Sequence, residues 1–238
     1  MRVLVVENFR INELGQVGIA LAEAKAEIVI CRAWAGDKLP EDLTDFDGMV
    51  VLGGEQNALA DEEHPYLPKL AQLMRDSAEH GKAVLGICLG SQVLARGCAA
   101  ENMIGTAPEF GWQTIELTDA GKNDPVLGQI PSGFPIFEWH SDTFSLPPNA
   151  VHLATNGNVT NQAFRVGRAG YGMQFHFEAN RGVVENWNRE FAEHLQANHK
   201  DFLESYPEKA TTVGPIADDV GLKIARAWVS LIEPQPVQ

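Results

Sequence analysis

One stretch of this sequence combines an apolar strand, two glycines and the start of a helix around a single cysteine. The stretch is AVLGICLGSQVLARG, residues 83–97, in which Cys88 lies between Gly86 and Gly90. The spacing G-x-C-x-G is typical of a sharp strand-to-helix turn that lifts one side chain above the edge of a sheet. Glycine at both flanks avoids crowding of a strained backbone, and the start of the helix places partial positive charge beside the sulfur. The stretch predicts a nucleophilic thiol at the end of a strand, with a buried core cysteine as the alternative.

The chain before this turn alternates short apolar strands with amphipathic helices. The pattern predicts strands at Arg2–Glu7, Glu27–Arg32, Asp47–Leu52 and 83–87, and helices over about 14–24 and Pro65–His80. Such alternation with short crossovers is typical of a parallel, doubly wound sheet, whose ligands bind beyond the carboxyl ends of the strands. Gly53, Gly54 and Cys88 all follow predicted strands, so we expect them at that edge.

The middle of the chain changes to short strand-like pieces separated by turn-rich segments. These pieces predict antiparallel strands at Trp112–Leu117, Pro135–Trp139, Val151–Thr155, Asn161–Val166 and Tyr171–Phe177. Amphipathic helices follow Glu178, one marked by Val184, Trp187, Phe191 and Leu195 and a last one over about Ile216–Ile232.

We therefore predict an α/β fold with a doubly wound, mostly parallel sheet, helices on both faces and a small antiparallel section. A single domain is expected over residues 1–238. Its parts are βα units with the cysteine turn in 1–100, mixed strands and loops in 101–178, and C-terminal helices in 179–238.

The composition disfavours several classes of partner. With 18 Lys and Arg against 32 Asp and Glu, the formal net charge is -14, which argues against binding to nucleic acid or an anionic membrane. The apolar run in MRVLVV is too short for a signal-peptide core or a membrane span, and no longer run follows, so a cytoplasmic protein is expected. Cys31, Cys88 and Cys98 lack zinc or redox spacing, so their thiols are expected to be free.

A cysteine nucleophile needs a base for its proton, and that base usually needs a third group to fix its tautomer. His176 and Glu178 lie two residues apart in QFHFE, so an extended backbone would place both side chains on one face. His140 in FEWHSDTF is the rival base, with Asp142 as its candidate orienting group. We favour His176 because the apolar YGMQF run is expected to carry it to the sheet edge, which leaves His140 and Asp142 as candidates for substrate contact. These residues lack the spacing of a zinc site, so neither a metal nor a cofactor is expected.

Acyl transfer also needs hydrogen-bond donors for the developing oxyanion. The candidates are the backbone N–H groups of Leu89, directly after the nucleophile, and of Gly54, in the glycine pair after the third strand. The pair Gly53-Gly54 alone also fits an ordinary tight turn. Gln92, one helical turn past Cys88, is a candidate for binding a polar substrate or for stabilising the turn itself.

Six stretches occur in the order and at about the spacing of one known family: VVLGGEQ, GKAVLGICLGSQVLA, EFGWQTIELT, FPIFEWHSDTF, LATNGNVTNQAFRVG and YGMQFHFE. Together they span nearly the whole chain and resemble the class I glutamine amidotransferases, in the branch of stand-alone GMP-synthase-like amidotransferases and γ-glutamyl peptidases. The resemblance implies a flavodoxin-like architecture and a γ-glutamyl thioester on Cys88, with His176 moving the proton, Glu178 orienting it, and Gly54 and Leu89 stabilising the oxyanion. It also implies that the glutamyl group is contacted by Gln92, Trp139, His140, Ser141 and Asp142.

Three positions depart from the pattern of that family. Phe177 stands where members usually have proline between the histidine and the glutamate, which loosens a backbone constraint but keeps the reacting groups. Ser91 stands where histidine is frequent. Glu55 follows the glycine pair where proline is often found, and its carboxylate is expected to repel an anionic substrate or to select a cationic one.

The resemblance implies a cysteine-dependent enzyme that hydrolyses the γ-amide of glutamine, a small-molecule substrate, and passes ammonia to a separate synthase. No phosphate-binding G-x-x-x-x-G-K-[ST] stretch is present for a synthase reaction within this chain. One alternative is a stand-alone hydrolase of γ-glutamyl peptides. The alternative from another class is a non-catalytic regulatory or redox-sensing subunit.

Overall fold

The strand nearest the N-terminus, Arg2–Glu7 (β1), is buried on both of its faces. Val3 and Val5 point to one face and Leu4 and Val6 to the other, because successive side chains of a strand alternate. A strand of this kind needs a covering layer on each side of its sheet. The computed structural model, which describes residues 1–234, supplies helices on both sides.

Ten further strands occur within the described residues: β2 (Glu27–Arg32), β3 (Gly48–Val51), β4 (Ala83–Ile87), β5 (Asn102–Met103), β6 (Glu109–Leu117), β7 (Gly133–His140), β8 (Thr143–Phe144), β9 (Val151–Thr155), β10 (Ala163–Val166) and β11 (Gly170–Met173). The helices are α1 (Gly15–Glu23), α2 (Leu67–Glu79), α3 (Leu89–Gly97), α4 (Asp119–Lys122), α5 (Arg181–Glu190), α6 (Ala192–Asn198), α7 (Lys200–Thr212) and α8 (Gly214–Val229).

Nine of these strands form one sheet in the order β2-β1-β3-β4-β11-β10-β9-β6-β7. The first five are parallel to one another, and the remaining neighbours pair antiparallel. Helices α1 and α8 pack on one face, and α2 and α3 pack on the other. The predicted α/β fold, with its mostly parallel, doubly wound sheet and an antiparallel section, is confirmed. β5 and β8 form a separate two-stranded sheet.

The strand predicted at Tyr171–Phe177 ends four residues early, at Met173. Its parallel partner β4 ends at Ile87, so the segment after Met173 has no strand beside it to continue the ladder. The backbone bends instead, and the N–H of His176 donates to the carbonyl of Phe137 at 2.8 Å. We predicted that His176 and Glu178 share one face because they lie on an extended strand. The strand ends before both residues, so that reason for their placement was wrong.

The C-terminal part holds more helices than the sequence pattern predicts. The predicted helix through Leu195 is interrupted at Phe191, which separates α5 from α6. The last predicted helix is α8, which begins at Gly214 and ends at Val229. Helix α7 was not predicted, because its sequence contains Pro207 and buries little beyond Phe202. None of the helices in residues 1–234 is long and apolar enough to cross a membrane.

A single domain over residues 1–238 remains a prediction. Its last four residues, 235–238, lie outside the described part of the chain.

The segment after β11 is held by direct contact with two helices. A Cβ added at Gly15 of α1 would overlap the carbonyl oxygen of Glu178, and one added at Gly221 of α8 would overlap that of Phe177. The N–H of Gln16 also donates to the Glu178 carbonyl at 2.9 Å. The backbone that carries the predicted orienting carboxylate is thus fixed by main-chain packing.

We expect Gly221→Ala to lower the free energy of unfolding by about 1–3 kcal/mol, because the added methyl must displace either α8 or the backbone at Phe177. Urea unfolding followed by circular dichroism measures this change. Gly157→Ala is the matched control, since a Cβ there meets no atom within 4 Å. Equal stability of the two variants would contradict the close packing of α8 on this segment.

Candidate active site

Cys88 lies at the turn between β4 and α3 in a backbone conformation that residues with side chains rarely adopt. Its φ is 52° and its ψ is -111°. Such a conformation costs about 1–3 kcal/mol and persists only where the surroundings enforce it. The N–H of Cys88 donates to the carbonyl of Met173 at 2.8 Å, while its own carbonyl accepts from the N–H of Ser91 at 3.0 Å and from the Ser91 hydroxyl at 2.6 Å. These hydrogen bonds hold the turn from both sides.

The two flanking glycines allow the turn to pack against the sheet. A Cβ added at Gly86 would overlap the carbonyl oxygen of Gly90, and one added at Gly90 would overlap that of Val51 in β3. Any side chain at either position would therefore push α3 away from the carboxyl ends of β3 and β4. Ser91, one of the three departures from the family pattern, anchors this same turn through its hydroxyl.

A cavity of about 590 Å³ opens at this edge of the sheet. Its walls include all the residues that the sequence singled out for the site: Gly54, Cys88, Leu89, Gln92, Trp139, His140, Ser141, Asp142, His176 and Glu178. The structure thus brings these residues together, and their individual roles remain predictions.

His176 is held by Glu178 at the bottom of the cavity. The ring Nδ1 lies 2.7 Å from Oε1 of Glu178, and both side chains are buried. Because a carboxylate oxygen can only accept, Nδ1 carries the hydrogen and Nε2 is left for the Cys88 sulfur. Burial by itself would lower the pKa of His176, but the negative charges of Glu178 and of the Cys88 sulfur outweigh it and raise that pKa well above 6.5.

The histidine and the cysteine meet over Gly53. A Cβ at Gly53 would lie 3.2 Å from Cε1 of His176 and 3.6 Å from Cβ of Cys88, so a side chain there would crowd both groups. Trp187 packs its ring edge-on against the His176 ring, with 5.1 Å between the centroids. The carbonyl oxygen of Trp139 lies 3.7 Å from the Cys88 sulfur on another side.

Two backbone N–H groups lie where the sequence predicts an oxyanion hole. Leu89 is the first residue of α3, so its N–H is one of those that no carbonyl within the helix can accept. The loop with Gly54 touches this helix start, since a Cβ at Gly54 would lie 2.8 Å from the Leu89 side chain. The two loops therefore share one wall of the cavity.

Two asparagines that the sequence did not single out fix the glycine loop. The side-chain amide of Asn8 donates to the Leu52 carbonyl at 2.7 Å, and that of Asn12 donates to the Gly53 carbonyl at 3.2 Å. Oδ1 of Asn12 also accepts from the N–H groups of Asn8 and Phe9, each at 2.9 Å. The only signal in the sequence was the position of NFRIN after the first strand, at the same edge as Gly53.

The rival histidine, His140, lines the cavity, but its ring nitrogens are engaged by Asp142 and by a buried cluster of carboxylates. Its Nε2 lies 3.2 Å from Oε2 of Glu109 and 3.3 Å from Oε2 of Glu138, and its Nδ1 lies 2.9 Å from the Asp142 carbonyl. Side-chain amides, including that of Gln162 at 2.6 Å, donate to the carboxylate of Glu109. The sequence missed this cluster because it depends on Glu109 and His140 standing opposite each other in the β6–β7 pair.

The ring nitrogens of His140 therefore face two acceptors, the Glu109 carboxylate and the Asp142 carbonyl, so each carries a hydrogen. Burial lowers the pKa of His140, but hydrogen bonds to Glu109 and Glu138 overcome this effect and raise that pKa to about 10. Burial raises the pKa of Glu138 itself. An imidazolium with both nitrogens occupied has no lone pair with which to accept a proton, and His140 is thus a poor candidate for the base.

The cluster of Glu109, Glu138 and His140 is also a group of metal-type donors, since one ligand atom of each lies within 4.8 Å of the others. Coordination by His140 would require loss of the hydrogen that Nε2 directs at the carboxylates. His176, another metal-type side chain considered above, is instead bound to Glu178. The donor arrangement thus fits a buried ion pair better than a metal site.

The remaining predicted contacts lie along the cavity wall. The side-chain amide of Gln92 donates to the carbonyl of Asp142 at 3.3 Å and to Oε1 of Gln174 at 3.1 Å, so it ties α3 to the segment 139–142. Oδ1 of Asp142 accepts from the N–H of Gly105 at 2.7 Å. Gln92 therefore stabilises the wall of the cavity, whatever it contributes to a ligand.

Similarity to known proteins extends over most of this chain. The family model for class I glutamine amidotransferases matches residues 14–191. A glutamine amidotransferase-like protein of Salmonella typhimurium, YfeJ, is 32% identical over 184 residues, which cover 74% of this chain and 76% of that protein.

Two further relatives have names that describe different activities. Gamma-glutamyl peptidase 5 of Arabidopsis thaliana is 31% identical over 60% of this chain, and a subunit of the glutamine-hydrolysing GMP synthase of Thermoplasma acidophilum is 31% identical over 58%. The matched segments span 58% and 66% of the lengths of these two relatives. Among solved structures, a glutamine amidotransferase of Thermotoga maritima has a TM-score of 0.83 and 28% identity, and the match covers 98% of this chain and 99% of that one.

We expect His140 to keep both ring hydrogens throughout a titration from pH 6 to 9, because its pKa of about 10 lies above this range. Nitrogen-15 chemical shifts of the imidazole rings report the protonation of each nitrogen directly. His199 serves as the internal control, since burial lowers its pKa below 6.5 and its ring should be neutral over most of the range. A His140 ring that loses a hydrogen near pH 6.5 would contradict the assignment of a buried imidazolium.

Proposed function

Because this chain belongs to the class I glutamine amidotransferase family, we propose that it cleaves γ-glutamyl amide bonds with Cys88 as nucleophile, His176 as proton carrier and Glu178 as orienting group. The observation that carries the proposal is the arrangement at the cavity floor. A cysteine held in a strained turn at a helix start shares its surroundings with a histidine whose other ring nitrogen is bound by a carboxylate at 2.7 Å. This combination is the general pattern of an activated nucleophile.

The first step is attack of the Cys88 sulfur on the side-chain carbonyl carbon of the γ-glutamyl substrate. The raised pKa of His176 favours an imidazolium beside the sulfur, and Glu178 stabilises that charge through Nδ1. The start of α3 adds the partial positive charge of a helix N-terminus at the same point. The sulfur is therefore prepared as a nucleophile before the substrate arrives.

The tetrahedral intermediate places negative charge on the former carbonyl oxygen. In the proposal, the N–H groups of Leu89 and Gly54 donate to this oxygen, since the two loops that carry them share a wall beside Cys88. Removal of one such donor typically costs about 10²–10³ in rate. The anchoring of the Gly53-Gly54 loop by Asn8 and Asn12 keeps the second donor in place.

Collapse of the intermediate breaks the carbon–nitrogen bond, and His176 gives its proton to the leaving ammonia or amine. The product on the enzyme is a γ-glutamyl thioester of Cys88. Water then attacks this thioester with His176 as base, which releases glutamate and restores the imidazolium beside the negatively charged Cys88 sulfur. Each proton that His176 gives away in the first half of the cycle is recovered in the second.

The acceptor of the ammonia is the open part of the proposal. We favour a glutaminase that serves a separate synthase, a role supported by the similarity to the GMP synthase subunit of Thermoplasma acidophilum. A stand-alone hydrolase of γ-glutamyl peptides is the second candidate, because gamma-glutamyl peptidase 5 is similar over a comparable part of the chain. Turnover of γ-glutamyl peptides by the isolated protein, with glutamine inert, would favour the second candidate.

We expect Cys88→Ala to lower the release of ammonia or glutamate by several orders of magnitude, since the other groups cannot form the thioester. Glu178→Gln should lower kcat strongly while changing KM little, because it weakens the orientation and charge of His176 rather than substrate binding. The purified protein is assayed with glutamine and with γ-glutamyl peptides. Cys98→Ala is the matched control, as that thiol lies outside the cavity. Unchanged release from Cys88→Ala would contradict the assignment of Cys88 as nucleophile, whereas no release from the wild-type protein would favour the non-catalytic regulatory or redox-sensing alternative.

A glutamine analogue that carries an electrophilic ketone should label Cys88 and spare the other two cysteines. Burial raises the pKa of Cys31 and also that of Cys98, the latter to about 11, so both remain thiols at neutral pH. Mass spectrometry of peptides from the labelled, folded protein gives the extent of reaction at each cysteine. Equal labelling of all three would show that Cys88 is not activated.

A further inference from the structure

The cavity is larger than glutamine requires. Glutamine has about ten non-hydrogen atoms, and even at the roughly 30 Å³ that a molecule of liquid water occupies, these atoms fill about half of the 590 Å³. The pocket therefore has space for a leaving amine larger than ammonia.

The walls around this free volume are negatively charged. Glu13, Glu55 and Asp142 line the cavity in addition to the reacting groups, and within residues 1–234 its lining includes neither lysine nor arginine. Glu13 accepts from the neutral amide of Asn186 and Asp142 from a backbone N–H, so these hydrogen bonds leave both negative charges in place.

Glu55 is exposed and follows directly on the Gly54 loop, which brings its carboxylate to the rim nearest the predicted oxyanion hole.

The imidazolium of His140 does not offset the negative charges of Glu13, Glu55 and Asp142. Its charge is matched by Glu109 and Glu138 on the buried side of the wall. A pocket lined by one sign of charge concentrates ligands of the opposite sign and repels those of the same sign.

Aromatic rings also line the cavity. Phe191 stacks on Phe9 with 6.0 Å between centroids and meets Trp139 edge-on at 4.9 Å, and Trp187 lies beside them. Aromatic faces attract ammonium groups and also pack against alkyl chains. A lining that combines carboxylates with aromatic rings is therefore a suitable environment for an alkyl chain with a protonated amine.

We infer that the preferred substrate is a γ-glutamyl amide whose leaving amine carries a second, protonated amino group on an alkyl chain, as in the mono-γ-glutamyl conjugate of a diamine. The glutamyl part has one ammonium and one carboxylate and no net charge, so the acidic walls discriminate among leaving groups. The inference rests on the proposed function. Cys88 forms the thioester as the carbon–nitrogen bond breaks, the diamine leaves with the proton from His176, and water releases glutamate.

Three conjugates of similar length test the inference by the charge of their leaving amine. γ-Glutamyl-1,4-diaminobutane is cationic, γ-glutamyl-pentylamide is neutral and γ-glutamyl-4-aminobutanoate is anionic at this end. For the wild-type protein we expect kcat/KM to be roughly tenfold higher for the cationic conjugate than for the neutral one and lowest for the anionic one. This preference should weaken as salt is raised from about 20 to about 500 mM, because the carboxylates at the rim are screened.

Substitution of Glu55 tests whether the rim carboxylate causes the preference. Glu55→Gln should reduce the cationic-to-neutral ratio of kcat/KM by roughly threefold, the size of a partly exposed ion pair, and Glu55→Lys should favour the anionic conjugate. Glu62→Gln is the matched control, since Glu62 is exposed, lies in the same loop and does not line the cavity. If both Glu55 variants keep the wild-type cationic-to-neutral ratio of kcat/KM, Glu55 does not cause the charge preference.

Binding separates the failure of this inference from a failure of the proposed function. Cys88→Ala cannot form the thioester but keeps the walls, so calorimetric titration with the three conjugates reports the charge preference without chemistry. Tighter binding of the cationic conjugate supports the inference even if the wild-type protein cleaves none of them. Absence of cleavage of the three conjugates and of glutamine would instead refute the proposed function. Equal or tighter binding of the neutral or anionic conjugate would overturn the inference even if all three are cleaved.

Discussion

The close approach of α3 to the carboxyl ends of β3 and β4 is the constraint on which the rest of the site depends. Gly86 and Gly90 permit it, because a methyl group at either position would overlap a main-chain carbonyl. At this turn Cys88 has its strained conformation and Leu89 begins the helix at the cavity. β11 lies beside β4 in the sheet, so His176 follows shortly beyond the end of that strand and reaches the same edge.

Two histidines of the same site are each paired with carboxylates, yet their surroundings give them different chemistry. His176 has one nitrogen bound to Glu178 and the other turned to the Cys88 sulfur, so it can exchange a proton with a ligand. His140 has both nitrogens bound by oxygen acceptors of the protein, so neither is free to exchange a proton with a ligand. The charge of this imidazolium helps to hold the backbone of the segment 139–142, whose Trp139 carbonyl lies 3.7 Å from the Cys88 sulfur. His176, the proposed proton carrier, has one ring nitrogen bound to an oxygen acceptor, whereas His140 has both. This number of hydrogen-bond acceptors, rather than distance from the thiol alone, distinguishes the two histidines.

Local patterns in the sequence predicted those parts of the structure that depend on neighbouring residues. The strands Arg2–Glu7, Glu27–Arg32 and Val151–Thr155 were predicted with the bounds that the structure has, because their apolar runs are short and bounded by polar residues. The bend after Met173 was missed because it depends on where the partner strand β4 ends. The pairing of Glu109 with His140 was missed for a similar reason, since the register of β6 against β7 cannot be read from segments that are separated by a long connection.

The floor and the walls of the cavity are built from different kinds of structure, and this division bears on how substrate choice is determined. The floor consists of strand ends and a helix start whose backbones touch, so substitutions there disturb the fold and the reacting groups together. The wall that carries Glu13 and Glu55 consists of exposed loop side chains, whose replacement leaves the sheet unaffected. A carboxylate at the position after Gly54 can thus change the charge that the cavity presents to a leaving group without altering the geometry of Cys88 and His176. In the proposed function, the chemistry of γ-glutamyl transfer and the choice of amine are therefore separable, because the packed backbone positions the reacting groups and exposed loop charges select the leaving group.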